Sequence, residues 1–258
     1  MSSILFEIRD AVGCVTLNRP DKYNSFNRDM ALATQQALSR CAHDEEIRSV
    51  LITGNGKAFS AGQDLTELQG DDAPGFDVIL TEHYNPIVVA IRKMEKPVVA
   101  AVNGVAAGAG ANIALCCDIV VAAASASFLQ AFSKIGLIPD SGGTYNLPRL
   151  IGWQKASALM MLGDKVSAAD AERIGMIYKV LSDEGFAESS FQIARTLAQM
   201  PTRGLAFTKQ ALQSSLQASF EEQLKLEDKL QQAAAHTEDY TEGVTAFLEK
   251  RAPQFKGK

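Results

Sequence analysis

Asp140 is the side chain whose neighbours best suit proton transfer. In Gly136-Leu137-Ile138-Pro139-Asp140-Ser141-Gly142-Gly143 it follows three apolar residues. An apolar setting raises a carboxyl pKa toward working pH and fits it for general acid–base chemistry. The same position also suits an N-cap for a helix over residues 141–150. Asp-Ser-Gly-Gly also surrounds the nucleophile of all-β serine proteases. This chain is rich in helix, however, and its three histidines have no evident acidic partner.

Two small-residue segments offer complementary chemistry. Gly104-Val105-Ala106-Ala107-Gly108-Ala109-Gly110-Ala111-Asn112-Ile113 lies between an apolar strand and a helix. Ile113 stands where a dinucleotide fingerprint needs Gly or Ala, and no Lys-Ser/Thr pair follows as in a phosphate loop. Gly56-Lys57-Ala58-Phe59-Ser60-Ala61-Gly62-Gln63-Asp64-Leu65 has the same setting. Small residues let a ligand or a second backbone come close. Main-chain N–H groups at a helix start are free to donate. Two such loops could stabilise an anion developing on one carbonyl oxygen. Two unrelated tight turns is the equal alternative.

These segments need elements to hold them. Residues 4–8 and 12–17 read as strands joined by a tight turn. Asn27 caps a helix to about Cys41. Residues 48–53 form an apolar strand ended by Gly54-Asn55-Gly56, after which a loop runs to Gly62. Asp64 starts a short helix, residues 70–75 form a surface loop, and helical periodicity runs from Phe76 to Lys93. Residues 98–102 and 119–122 are buried strands. A helix follows Ser141, Ser167 caps another to Arg173, and residues 177–181 make a last strand. Beyond Asp183 the chain is helical, over residues 186–199, 203–215, 220–235 and 240–249. Alternation followed by helices alone predicts an α/β core with a helical C-terminal part. Leu224, Leu226, Leu230, Phe247 and Leu248 form the tail's apolar face, a cap on its own core or an assembly surface. Trp153 is expected to pack at a helix start, and Cys116-Cys117 to be buried.

Composition narrows the classes. The 258 residues are 47% hydrophobic, which is enough for a large core and rules out disorder. Lys and Arg total 25 against 30 Asp and Glu, a net charge of −5 that argues against nucleic acid. Four cysteines without a CxxC pair, distant from the histidines, predict neither disulfides nor a metal site. The longest apolar stretch, residues 97–117, is broken by Asn103 and glycines, so no membrane span is expected. Met-Ser-Ser-Ile-Leu-Phe-Glu lacks a basic leader and apolar core, which gives a cytoplasmic expectation.

Together the segments resemble the crotonase (enoyl-CoA hydratase/isomerase) superfamily. The resemblance rests on Asn18-Arg19-Pro20, Ala61-Gly62-Gln63-Asp64-Leu65, the run from Asn103 to Asn112, and Ile138-Pro139-Asp140-Ser141-Gly142-Gly143. Glu242-Gly243 to Phe247 and Pro253-Gln254-Phe255-Lys256-Gly257-Lys258 match as well. It implies a ββα spiral core over residues 1–195 and a helical oligomerisation region over 196–258, assembling as a trimer or a hexamer. The ligand it implies is an acyl-CoA thioester, with CoA as part of the substrate and no separate cofactor. The oxyanion hole maps onto the N–H groups of Gln63 and Ala109. CoA and substrate contacts map onto Lys22, Ala61, Gly62, Asp64, Leu65, Gly110 and Phe132, with Phe247 and Lys250 supplied by a neighbouring subunit. Some C-terminal Lys and Arg side chains would meet the CoA phosphates. Residues 70–84 would form part of the acyl pocket.

Two departures bear on the reaction. Family hydratases carry two catalytic glutamates, at positions matching Asn112 and Phe132. Asp140 is the one acid left in that stretch, which suits isomerisation. Within the family the match is nearest to the branch that isomerises ring-1,2-epoxyphenylacetyl-CoA to an oxepin thioester in aerobic phenylacetate breakdown. That branch implies double-bond isomerisation of unsaturated acyl-CoAs and a pathway enoyl-CoA hydratase as a possible partner. The alternatives are a Δ3,Δ2-enoyl-CoA isomerase or hydratase of fatty-acid metabolism, a hydrolase or dehalogenase with Asp140 as nucleophile, and a non-catalytic acyl-CoA-binding subunit.

Overall fold

The computed structural model describes residues 2–70 and 73–258, so Asp71 and Asp72 of the expected surface loop lie outside the described residues. The chain opens with a hairpin of β1 (Ile4–Arg9) and β2 (Val12–Leu17), turned at Asp10-Ala11 with both residues left-handed. β1, at the sheet edge, alternates exposed residues with buried Ile4 and half-buried Phe6 and Ile8, whereas β2 is buried along almost its whole length. Asn27 caps α1 (Arg28–His43) by accepting from the Met30 N–H.

From there the chain winds as a spiral. Strands β3 (Ser49–Gly54) and β4 (Ala58–Ser60) lead to a helical stretch. That stretch is one turn, α2 (Phe76–Val78), a wide π-turn (Ile79–Tyr84), and α3 (Asn85–Lys93). The next coil is β5 (Val98–Val102), β6 (Val105–Ala107) and α4 (Ala109–Leu115). Then come β7 (Ile119–Ala123), β8 (Ser127–Leu129), α5 (Gly143–Ile151) and α6 (Trp153–Leu162). β9 (Lys165–Ser167), α7 (Ala168–Arg173) and β10 (Lys179–Leu181) close the core. β3, β5 and β7 enter a six-stranded sheet, β1-β2-β3-β5-β7-β10, and the strands that follow them, β4, β6 and β8, enter a smaller one, β4-β6-β8-β9; the last coil reverses the order, with β9 in the small sheet and β10 in the large. The ββα spiral expected from the resemblance is therefore the observed architecture. β5 is all Val and Ala and fully buried, because β3 and β7 flank it and α4, α8 and β4 pack against it.

The C-terminal part is helical, as expected: α8 (Phe186–Gln199), α9 (Thr202–Ser215), α10 (Phe220–Ala235) and α11 (Glu238–Glu249). Arg48 ties it to the core, donating to the Met200 and Phe255 carbonyls and to Thr202 Oγ1. Buried Asp239 accepts from the Lys256 and Gly257 N–H groups and fixes the last residues. Trp153 opens α6 but is 73% exposed, against the expectation that it packs. It projects outward, as do Met161 and Leu162 of the same helix. The four cysteines are free and buried.

Candidate active site

Strands β4 and β6 run parallel as neighbours, so the loops that leave them lie side by side. Their contact is close. Gly62 is left-handed, at φ +87°, and a Cβ there would sit 2.9 Å from the Ala107 carbonyl oxygen and 3.3 Å from the Ala109 nitrogen. Only glycine suits both the dihedral and the space. Ala109 is the first residue of α4, where an N–H has no intrahelical acceptor. Phe26 brackets the other loop: its N–H donates to the Gly62 carbonyl and its own carbonyl accepts from the Asp64 N–H. Among the described residues no acceptor takes the N–H of Gln63. Two unpaired main-chain donors, at Gln63 and Ala109, therefore lie on adjoining loops.

Side chains lock this arrangement. Tyr84 Oη donates to Gln63 Oε1 at 2.9 Å, and Gln63 Nε2 donates to Glu67 Oε2 at 3.1 Å. Asp64 pairs with Arg19 at 2.8 Å and accepts from Thr66 Oγ1. Burial pushes the Asp64 carboxyl up, but the bonds from Thr66 and Arg19 outweigh it and hold the group below its ordinary range.

Asp140 is the acid of the facing wall. The N-cap of α5 is Gly142, with no side-chain cap, so the capping alternative for Asp140 is not what the fold uses. Burial pushes its carboxyl above the ordinary carboxylate range, partly opposed by the bond from Ser141 Oγ to Oδ1 at 2.9 Å. Buried Tyr84 is held well above the usual tyrosine range, first by burial and then by the charges of Asp140, Glu67 and Asp64.

A cavity of about 150 Å³ joins these parts. Gln63, Ala109, Tyr84 and Asp140 line it together with Leu65, Leu68, Phe76, Ile79, Phe132, Ile135 and Leu137. Among the described residues Asp140 is its only carboxylate. Larger grooves lie among α9, α10 and α11 and include none of these groups. The described residues hold no cluster of three or more metal-ligating side chains, and no helix long and apolar enough to cross a membrane.

The sequence pattern of the enoyl-CoA hydratase/isomerase family matches residues 7–258. The chain belongs to this family. The 1,2-epoxyphenylacetyl-CoA isomerase of Escherichia coli (strain K12) is 48% identical over 261 residues, with 100% of both chains covered. The trans-2-decenoyl-(acyl-carrier-protein) isomerase of Streptococcus mutans (serotype c, strain UA159) is 36% identical, over 99% of this chain and 98% of that one. The crystal structure of an enoyl-CoA hydratase from Polaromonas sp. JS666 superposes with a TM-score of 0.91 at 34% identity, covering 98% of this chain and 99% of that one. Proteins named as isomerases and as a hydratase thus share this family fold.

Of the residues the family resemblance singled out, Gln63, Ala109, Asp140, Ala61, Gly62, Leu65 and Phe132 meet at the cavity. Lys22 is exposed, beside Tyr23, whose carbonyl accepts from the Ala61 N–H. Asp64 and Gly110 do not line the cavity: Asp64 faces Arg19, and a Cβ on Gly110 would meet Ser60 at 2.6 Å. Phe247 and Lys250 belong to the α11 end and are exposed, away from this cavity within one chain. Tyr84 was not named by itself, only as the end of the 70–84 segment expected at the acyl pocket, and Phe76, Ile79 and Tyr84 of that segment do line the cavity. Its place within the helical periodicity reads equally as core.

Proposed function

We propose that the protein is an acyl-CoA isomerase acting on ring-1,2-epoxyphenylacetyl-CoA, with double-bond isomerisation of unsaturated acyl-CoAs as the same chemistry on simpler chains. The observation that carries this reading is a cavity with one carboxylate beside two unpaired main-chain donors. Asn112 and Phe132 occupy the places where, by the resemblance, hydratases carry glutamates. Phe132 is apolar, and the Asn112 amide is committed at both ends, to Gln130 and to the Asp140 carbonyl. Among the described residues no second acid lines the cavity to orient water while the first protonates carbon.

In the proposed cycle the Gln63 and Ala109 N–H groups hold the thioester oxygen. Asp140 removes a proton from the carbon next to the thioester, and the charge moves onto the held oxygen as an enolate. Asp140 then returns the proton to another carbon, so substrate and product have the same composition. With the ring epoxide, the bond between the two epoxide carbons opens to give the seven-membered oxepin. CoA enters as part of the substrate, and this shuttle requires no separate cofactor. An apolar space of roughly 150 Å³ admits benzene in other proteins, so the cavity has room for the six-membered ring of the proposed substrate.

The test is a substrate panel followed by mass spectrometry and absorbance. The ring epoxide should give the oxepin thioester, and linear 3-enoyl-CoA the 2-enoyl isomer. Crotonyl-CoA in ¹⁸O-water should give no labelled 3-hydroxy product. Efficient hydration would contradict the reading, and turnover of linear substrates alone would move it to a fatty-acid isomerase.

A further inference from the structure

Two side chains bond to Asp140, those of Ser141 and Asn112, beside the main-chain bond from the Gly143 N–H to the Asp140 carbonyl at 2.8 Å, and their geometry is one that packing alone does not require. Ser141 is 2% exposed, and its backbone is left-handed, at φ +50°, a region that residues with a Cβ avoid. Gly142 follows at φ +76°. This double turn ends at the start of α5 and leaves the Asp140 side chain uncommitted to the helix. The Ser141 hydroxyl makes one bond, to Asp140 Oδ1. No other residue among those described donates to Oδ2. At the other end, fully buried Asn112 donates from Nδ2 to the Asp140 carbonyl at 2.9 Å. Its Oδ1 accepts from Gln130 Nε2 at 2.8 Å, which fixes the amide's orientation. The space is tight: a Cβ on Gly143 would lie 2.4 Å from Asn112 Nδ2.

We propose that Ser141 and Asn112 are positioning residues that clamp Asp140 from two sides, fixing one carboxyl oxygen and presenting the other to the acyl cavity. The inference rests on Asp140 being the acid/base. Ser141 does more than orient. A donor to the charged form of a carboxyl opposes the effect of burial, so the hydroxyl keeps Asp140 ionised at a lower pH than its apolar surroundings would allow.

The groups that face Asp140 leave this effect readable. Tyr84 from the π-turn and Cys116 behind Ser141 are both pushed up by burial, Cys116 to about 11, and stay neutral where Asp140 titrates. Asp64, beyond Tyr84, stays charged through its bonds to Thr66 and Arg19. Glu67 lies on the far side of Gln63, and Lys134 is exposed against Gly163.

The experiment compares pH profiles of kcat/KM for the wild type, Ser141→Gly, Ser141→Ala and Asn112→Ala, with Asp140→Asn alongside. Ser141→Gly removes the hydroxyl and favours the left-handed backbone, so it guards against loss through misfolding; thermal melting checks each variant. Both Ser141 variants should move the acidic limb up by about one pH unit, a tenfold change in the proton equilibrium. Asn112→Ala should lower kcat about tenfold, a barrier increase of ~1.4 kcal/mol, with KM little changed. Folded Ser141 variants with a wild-type limb, or Asn112→Ala with wild-type kcat, would overturn the clamp while an inactive Asp140→Asn left the proposed function standing. An active Asp140→Asn would remove both.

Discussion

At the scale of single residues, the proposed chemistry turns on how the charge of Asp140 is set. The carboxyl lies in a wall of Phe132, Ile135 and Leu137 and is raised by burial. Only the ionised form can accept a proton from substrate. Activity should therefore fall as pH drops through the raised pKa, and the acidic limb of kcat/KM should lie above about pH 4, the ordinary aspartate value. A limb at or below that value, measured with a substrate whose chemistry is rate-limiting, would mean that burial does not govern this group. The sequence showed Asp140 following three apolar residues but could not separate a helix cap from an acid in a cavity. That choice depends on two left-handed residues after it. Gly142 could have hinted at such a turn, whereas Ser141 gives no sign of one in its type.

At the scale of elements, the site is made where two three-residue strands end. Gly62 is the junction. In Gly62→Ala the new Cβ would press on the Ala107 carbonyl at 2.9 Å from a backbone region that alanine disfavours. The loops must part, and the two donors proposed for the oxyanion would move apart. Loss of one oxyanion donor lowers kcat by roughly a hundredfold to a thousandfold. Stopped assays should show that loss in Gly62→Ala while circular dichroism stays native; wild-type kcat would mean that the loop contact is not needed. The large sheet was legible because its strands are apolar runs bounded by glycine, proline or charged residues. β4, β6, β8 and β9 were not, because three residues are too few to show alternation and their pairing is entirely long-range. α6 was read only at its start, where Trp153 was expected; its extent to Leu162 was missed, since the Gly152 and Gly163 that bound it mark turns without marking the helix between. The π-turn at Ile79–Tyr84 carries no distinct pattern, yet it sets Tyr84 against Gln63.

For the molecule as a whole, one chain leaves much apolar surface uncovered. Phe247 is 82% exposed, Leu248 73% and Phe220 74%. Patches of this kind mark interaction surfaces. The helical C-terminal region was proposed from the resemblance to drive trimer or hexamer assembly, with Phe247 and Lys250 reaching a neighbour's CoA. Sedimentation should give a trimer or hexamer, and Phe247→Glu should shift it to smaller species and raise KM for acyl-CoA more than it lowers kcat. A wild-type monomer with full activity would refute that arrangement. The reaction itself is tested most directly by Asp140→Asn, assayed for isomerisation and for calorimetric binding of a non-reacting acyl-CoA. Turnover should drop at least about a thousandfold, within the range general acid–base groups supply, with binding nearly unchanged. Isomerisation within tenfold of the wild type would show that some other group moves the proton.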